Sequence, residues 1–121
     1  IFLYSLSDMK NHLTENKFVR KIKIDIKLND KDFFNFIFND LANRGINNLL
    51  IETGSILNTL LLSLNLVDEI VIFRSGKIIG NDGVSFVNNL NFEEIKELTN
   101  YKISYLRSFQ DDILEVRNIS K

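Results

Sequence analysis

The sequence predicts an α/β domain: a mainly parallel sheet flanked by helices, with an antiparallel hairpin at the carboxyl end. Three observations predict it. Residues 21–28 alternate, with Ile22, Ile24, Ile26 and Leu28 against Lys21, Lys23, Asp25 and Lys27, which is the period of a strand with one wet face. The runs Leu49-Leu50-Ile51 and Ile70-Val71-Ile72-Phe73 are continuously apolar instead, as strands covered on both faces of a parallel sheet are. Residues 101–107 and 113–117 alternate again around a polar stretch, 108–112, which is the pattern of a hairpin.

Taken in order, Ile1-Phe2-Leu3-Tyr4 reads as a short buried strand, and residues 5–17 as a polar loop with a short helix carrying Met9, His12 and Leu13 on one side. His12 stands among Lys10, Asn11, Thr14 and Glu15, the setting of a surface histidine. The wet face of residues 21–28 places that strand at or near a sheet edge. Asp30 is the expected N-cap of a helix reaching about residue 43, with Phe33 or Phe34, Ile37, Phe38 and Leu41 as its core stripe and Gly45 at C′. A strand at residues 48–51 then turns through Glu52-Thr53-Gly54-Ser55 into a helix over residues 55–64. Ser55 is its expected cap, and Ile56, Leu57, Leu60, Leu61 and Leu64 form its broad apolar face. Residues 69–73 return as a strand beside residues 49–51 through a right-handed crossover. Gly80-Asn81-Asp82-Gly83 is a turn, Phe86, Val87, Leu90 and Phe92 are packing points, and residues 92–98 make a short helical turn.

At 121 residues the chain is one domain, short for a complete nucleotide-dependent enzyme, and its first residue, Ile1, already lies inside a predicted strand. It is therefore expected to be a piece of a longer protein. Fifteen basic and sixteen acidic residues leave no basic surface for nucleic acid and no polybasic membrane patch. With no cysteine and one histidine there is no disulfide, no thiolate metal site and no means for His12 to build a zinc site alone. No apolar run reaches the roughly 18 to 20 residues of a membrane span, and a cytoplasmic location fits.

The chemistry concentrates at Glu52-Thr53-Gly54-Ser55. A turn between a buried strand and a helix gathers unpaired N–H groups and the positive end of the helix dipole, and a glycine there lets a diphosphate approach the backbone. The residues are equally those of a plain strand-to-helix turn in which Gly54 only permits the bend. The GxGxxG dinucleotide fingerprint is absent. Asp68 and Glu69 are adjacent and point to opposite faces of a strand, so they are no shared acid–base pair. Asp68 and Asp82 read as capping or turn residues, and Arg74 and Lys77 as cations open to a phosphate or to water.

Three motifs in order, Leu50-Ile51-Glu52-Thr53-Gly54, Leu66-Val67-Asp68-Glu69-Ile70 and Lys77-Ile78-Ile79-Gly80-Asn81-Asp82, resemble the C-terminal reductase domain of the bifunctional riboflavin-biosynthesis deaminase/reductase. Asp111-Asp112-Ile113 resembles that family's closing strand. The resemblance implies a dihydrofolate-reductase-like fold, the chain being the carboxyl-terminal portion of one reductase domain. It also implies an oxidoreductase in which NADPH gives hydride to the ribosyl C1 carbon of 5-amino-6-(5-phosphoribosylamino)uracil. Carried over residue by residue, Glu52 faces the pyrimidine substrate, and Gly54, Ser55, Ile56, Leu57, Asn58, Thr59 and Leu60 line the cofactor. Gly54, Ser55, Asn58 and Thr59 would contact polar ligand atoms, and Ile56, Leu57 and Leu60 only by backbone, their side chains being needed in the core. No catalytic acid is assigned and no metal is implied.

The chain departs from the family at Thr53, where Gly or Ala is usual, and at Gly76, where proline commonly precedes the lysine. The family further implies an upstream zinc deaminase domain, additional amino-terminal strands of the reductase domain, and a homodimer, built here by sheet extension from residues 69–73 and the closing hairpin. Two alternatives keep the same fold: a related reductase acting on a folate or pterin, and a truncated, non-catalytic dimerisation module.

Overall fold

The computed structural model of the chain describes residues 1–5, 18–24, 28–90 and 99–120. Its elements are β1 (Phe2–Ser5), β2 (Arg20–Lys23), α1 (Asp30–Asn43), α2 (Ser55–Ser63), β3 (Glu69–Arg74), a single 3-10 turn (Gly80–Asp82), β4 (Tyr101–Phe109) and β5 (Asp112–Ile119). They fall into two compact units, Ile1–Leu50 and Ile51–Lys121. The loop around His12 and the expected helical turn at residues 92–98 lie outside the described residues, as does Phe92.

In the first unit β1 and β2 pair in parallel from Phe2↔Arg20 to Ser5↔Lys23. Lys21 and Lys23 are exposed and Ile22 is half-buried, the wet and dry faces that the alternation requires. Just past the ladder the Ile24 N–H donates to the Ser5 carbonyl (2.9 Å), and its side chain is the most deeply buried of the described residues, at 1% exposure. Residues 25–27 lie outside the described set.

Helix α1 is closed at both ends. Its N-cap is Asn29 rather than Asp30, which is the first helical residue. Asn29 Oδ1 accepts from the Asp32 N–H (2.9 Å) while its Nδ2 donates to Asp32 Oδ2 (2.8 Å), a reciprocal pair that an acceptor-only carboxylate at the cap could not make. Asp30 and Asp32 then stand in the first turn, where the dipole favours them. At the other end Gly45 adopts φ +85°, its N–H donates to the Ala42 carbonyl (2.9 Å), and the Ile46 N–H reaches the Leu41 carbonyl (3.0 Å). That is the Schellman closure for which a glycine at C′ is suited.

Leu41 is buried and Phe33, Phe34, Ile37 and Phe38 are half-buried, with Phe34 in edge contact with Phe33 and tilted against Phe38. The helix is tied to β1 by the Tyr4 hydroxyl, which donates to Asp40 Oδ2 (2.7 Å). Arg44 grips the same carboxylate with two bonds of 2.8 and 2.9 Å, and its guanidinium lies 4.6 Å from the centre of the Phe2 ring. The Arg44 bonds, then that of Tyr4, hold the Asp40 carboxyl below its ordinary value. Burial first, then the Asp40 hydrogen bond, pushes the Tyr4 phenol up.

In the second unit α2 ends in another Schellman closure, with Asn65 in the left-handed region (φ 54°) and the Leu66 N–H bonded to the Leu61 carbonyl (3.0 Å). Leu61, at 3% exposure, is its buried anchor. A three-stranded antiparallel sheet follows in the order β3-β5-β4, with a bulge between Ile103 and Tyr105 and a two-residue loop in which Gln110 has φ 54°. The Tyr101 hydroxyl donates to the Val67 carbonyl (2.9 Å); burial, then the Asp68 charge, raises its pKa.

The α/β class holds, and the strand pairings correct the sequence reading in detail. Among the described residues parallel pairing is confined to β1 and β2, and β3 pairs with β5 in antiparallel register, Val71 opposite Val116, not with residues 49–51. Residues 48–51 form no described strand, and Leu50 is 77% exposed. An apolar run states a preference for burial, whereas a strand needs a second backbone to complete its ladder, and none of the described residues supplies one here. The hairpin strands are longer than the sequence reading, because pairing carries on through Ser108 and Phe109 to a loop of only Gln110 and Asp111.

Candidate functional site

The turn before α2 differs from the sequence reading in one respect that matters chemically. The N-cap is Gly54 (φ −86°, ψ 175°), and Ser55 is the first helical residue. A serine caps only from the position before the first helical residue, so Ser55 is one place too late. No side chain caps α2 and no acidic residue stands in its first turn. The N–H groups of Ser55, Ile56 and Leu57 precede the first intrahelical bond, from the Asn58 N–H to the Gly54 carbonyl (3.1 Å), and the positive end of the dipole is uncompensated. A Cβ built on Gly54 would meet nothing within 4 Å, so open space lies in front of the turn. Among the described residues no hydrogen bond engages the Ser55 hydroxyl, and none, nor any ion pair, engages the exposed Glu52 carboxylate.

The remaining candidates divide by surroundings. Leu57 and Leu60 are half-buried with Leu61 behind them, whereas Ile56, expected on the core face, is 79% exposed. At 100° per residue Ile56 falls at the edge of the stripe formed by residues 57, 60, 61 and 64, which explains the miss. Thr53, Asn58 and Thr59 are engaged within the protein. Thr53 Oγ1 donates to Asn58 Oδ1 (2.6 Å), Asn58 Nδ2 donates to the carbonyls of Phe86 (3.2 Å) and Thr53 (3.4 Å), and Thr59 Oγ1 donates to the Ser55 carbonyl (2.6 Å). Thr59 Oγ1 in turn accepts from the Asn88 N–H (2.8 Å). Phe86 was expected only as a packing point, and nothing in the sequence shows that residues 86–88 return to this helix.

A second cluster escaped the sequence reading. Glu115, in the central strand β5, is buried at 6% exposure, bonded to the Arg117 guanidinium and 3.6 Å from Arg74 Nη2. Residues 115 and 117 share one face of the strand, and Arg74, opposite Ile113, lies on that face too. The available signal was a glutamate interrupting an apolar strand with an arginine two residues on. The cluster accounts for Arg74 as an ion-pair partner. Lys77 borders two shallow open hollows, one with Ser75, Gly76 and residues 109–112, the other with residues 79–81 and 83–85, and neither includes a residue of the 52–60 stretch. Gly76 is tightly placed: a Cβ there would come within 3.1 Å of the Asp111 carbonyl oxygen, so the proline common in the family would crowd this loop. Among the described residues no group of three His, Cys, Asp or Glu side chains stands together as a metal site.

Residues 11–114 match the family described as the RibD C-terminal domain. A riboflavin biosynthesis protein RibD from Buchnera aphidicola subsp. Baizongia pistaciae (strain Bp) is 30% identical over 73 residues, covering 60% of this chain and 20% of its own length. Among solved structures, Acinetobacter baumannii RibD superposes with a TM-score of 0.67 at 18% identity, over 84% of this chain and 27% of that one. A Shewanella sp. PV-4 protein named for riboflavin biosynthesis gives a TM-score of 0.67 at 19% identity, over 99% of this chain and 60% of that one. At such identities the structural likenesses speak to fold, which is the dihydrofolate-reductase-like one. The chain spans about a fifth of the length of the curated relative it matches.

Proposed function

The chain belongs to the RibD C-terminal domain family, and from that membership we propose that it is the carboxyl-terminal portion of a reductase domain that uses NADPH to reduce a pyrimidine substrate in riboflavin biosynthesis. The substrate expected is 5-amino-6-(5-phosphoribosylamino)uracil, reduced to its ribityl counterpart. The observation that carries the reading is the bare amino end of α2, with three N–H donors, no side-chain cap, no acid in the first turn and open space before Gly54.

These residues fit a dinucleotide diphosphate. The N–H groups of Ser55, Ile56 and Leu57 would donate to its oxygens, Ser55 would add its hydroxyl, and Gly54 would let the phosphate close on the backbone. Of the residues carried over for the cofactor, Leu57 and Leu60 serve by backbone and packing, and Ile56 has its side chain free at the surface. The Glu52 carboxylate, an acceptor only, would receive N–H donors of the pyrimidine. NADPH supplies the hydride when bound. The protein's contribution is to hold the donor and acceptor carbons close and aligned.

The parent protein is proposed to be a cytoplasmic homodimer with an upstream deaminase domain. Exposed Val71, Phe73, Tyr105 and Phe109 on one face of the antiparallel sheet support self-association. No helix among the described residues is long and apolar enough to cross a membrane.

The test is a titration with NADPH and, separately, NADH, following backbone amide shifts. Saturable shifts centred on residues 54–60, larger for NADPH, are expected. A folded sample with no saturable shift there would remove the cofactor site and with it the proposed activity.

A further inference from the structure

Residues 84–88 carry no helix or strand, and Val84 and Phe86 lie at the surface. The segment is nonetheless fastened at two points to the first turns of α2. Asn58 Nδ2 donates to the Phe86 carbonyl (3.2 Å), and the Asn88 N–H donates to Thr59 Oγ1 (2.8 Å). The same Asn58 amide accepts from Thr53 Oγ1 (2.6 Å), so one side chain joins the glycine turn, the helix and residues 86–88.

The donor inventory decides what these two side chains can do. A phosphate is an acceptor and needs N–H or O–H groups. Asn58 has two donor hydrogens, directed at the Phe86 and Thr53 carbonyls, and Thr59 has one, directed at the Ser55 carbonyl at 2.6 Å. Neither side chain has a donor left over. The hydroxyl's remaining capacity is its two lone pairs, which only accept, and the Asn88 N–H occupies one of them.

We infer that Asn58 and Thr59 are positioning residues that clip residues 86–88 beside the amino end of α2 and make that segment a second wall of the cofactor site. The inference rests on the proposed NADPH reading and sharpens it: the two side chains act through residues 86–88, not by touching the phosphates. Thr59→Val keeps the β-branched shape and removes both bonds of the hydroxyl. Thr59→Ser keeps the hydroxyl. Ser63→Ala serves as a control, because it removes a hydroxyl that donates only to the Leu60 carbonyl within the same helix (2.8 Å).

The experiment measures NADPH dissociation constants and amide hydrogen exchange at Asn88 in the full chain and the three variants, with the amide spectrum of β3, β4 and β5 reporting an intact fold. For Thr59→Val the expected result is exchange at Asn88 faster by about tenfold or more and a dissociation constant raised about tenfold, as loss of a hydrogen-bonded anchor would cause. Thr59→Ser and Ser63→Ala should both stay within about twofold on each measure. Faster exchange at Asn88 with unchanged NADPH affinity in Thr59→Val overturns the inference and leaves the cofactor reading standing. Failure of the unsubstituted chain to bind NADPH, with Asn88 protected, overturns the cofactor reading and the inference with it.

Discussion

Helices α1 and α2 end alike and begin differently. Both close in a Schellman motif, α1 on Gly45 and α2 on Asn65. At the amino end α1 is sealed by Asn29, with Asp30 and Asp32 set against its dipole, while α2 begins on a glycine with no side-chain bond and no acid. A cap contributes about 1 kcal/mol, so a helix that forgoes one rests more heavily on its packing and keeps its N–H donors available. The difference separates a helix whose amino end is finished from one whose amino end is open to an anion.

The largest effect expected from this comparison is in packing. Leu61→Ala, at the buried centre of α2, should cost about 2–5 kcal/mol, read as a lowered midpoint in urea unfolding. A loss below about 1 kcal/mol would mean that α2 does not depend on this anchor.

The two amino ends can then be exchanged. Gly54→Asp gives α2 a cap like that of α1; nothing lies within 4 Å of the added Cβ, so the fold should hold and gain a few tenths of a kcal/mol. The added carboxylate should weaken NADPH binding by more than about tenfold. Asn29→Ala is the reverse change in α1: it should cost about 1 kcal/mol and leave NADPH affinity unchanged. Equal NADPH affinity in Gly54→Asp and the unsubstituted chain would break the comparison.

The smallest effect is in pH. Asp40 has its pKa lowered, chiefly by the Arg44 hydrogen bonds, so its contribution is present above the ordinary carboxylate value of about 3.9 and fades as pH falls through the lowered one. Tyr4 and Tyr101 have raised values, burial being the main cause in each, so their contributions are whole below the ordinary phenol value of about 10 and fade as pH rises through the raised ones. The first unit should therefore weaken at both extremes. The second, through Tyr101, should weaken at the alkaline end. Amide signals of α1 and β5 followed through an acid and an alkaline titration test this, and Asp40→Asn should remove the acid response of α1.

Much of this was legible along the chain. The amphipathic stripe of α1, its glycine stop, the start of α2, the part of the alternation at residues 21–28 that falls in β2 and the closing hairpin all follow from neighbours within a turn or a tight loop, where spacing alone carries the information. The placing of the caps was off by one residue at both helices, because Asn29 and Asp30, or Gly54 and Ser55, are each acceptable in isolation and backbone angles choose between them.

By itself, then, the sequence determined the elements whose signals are local, together with the glycine turn whose residues resemble those of a known reductase family. Only the tertiary structure decided which strands meet. It set β3 against β5, left residues 48–51 without a partner among the described residues, buried Glu115 between two arginines and brought residues 86–88 to Asn58 and Thr59. The reason is physical. Periodicity records how polar and apolar groups are spaced along one chain, whereas a ladder, a buried ion pair or a clip depends on donors and acceptors far apart in sequence that no single window contains.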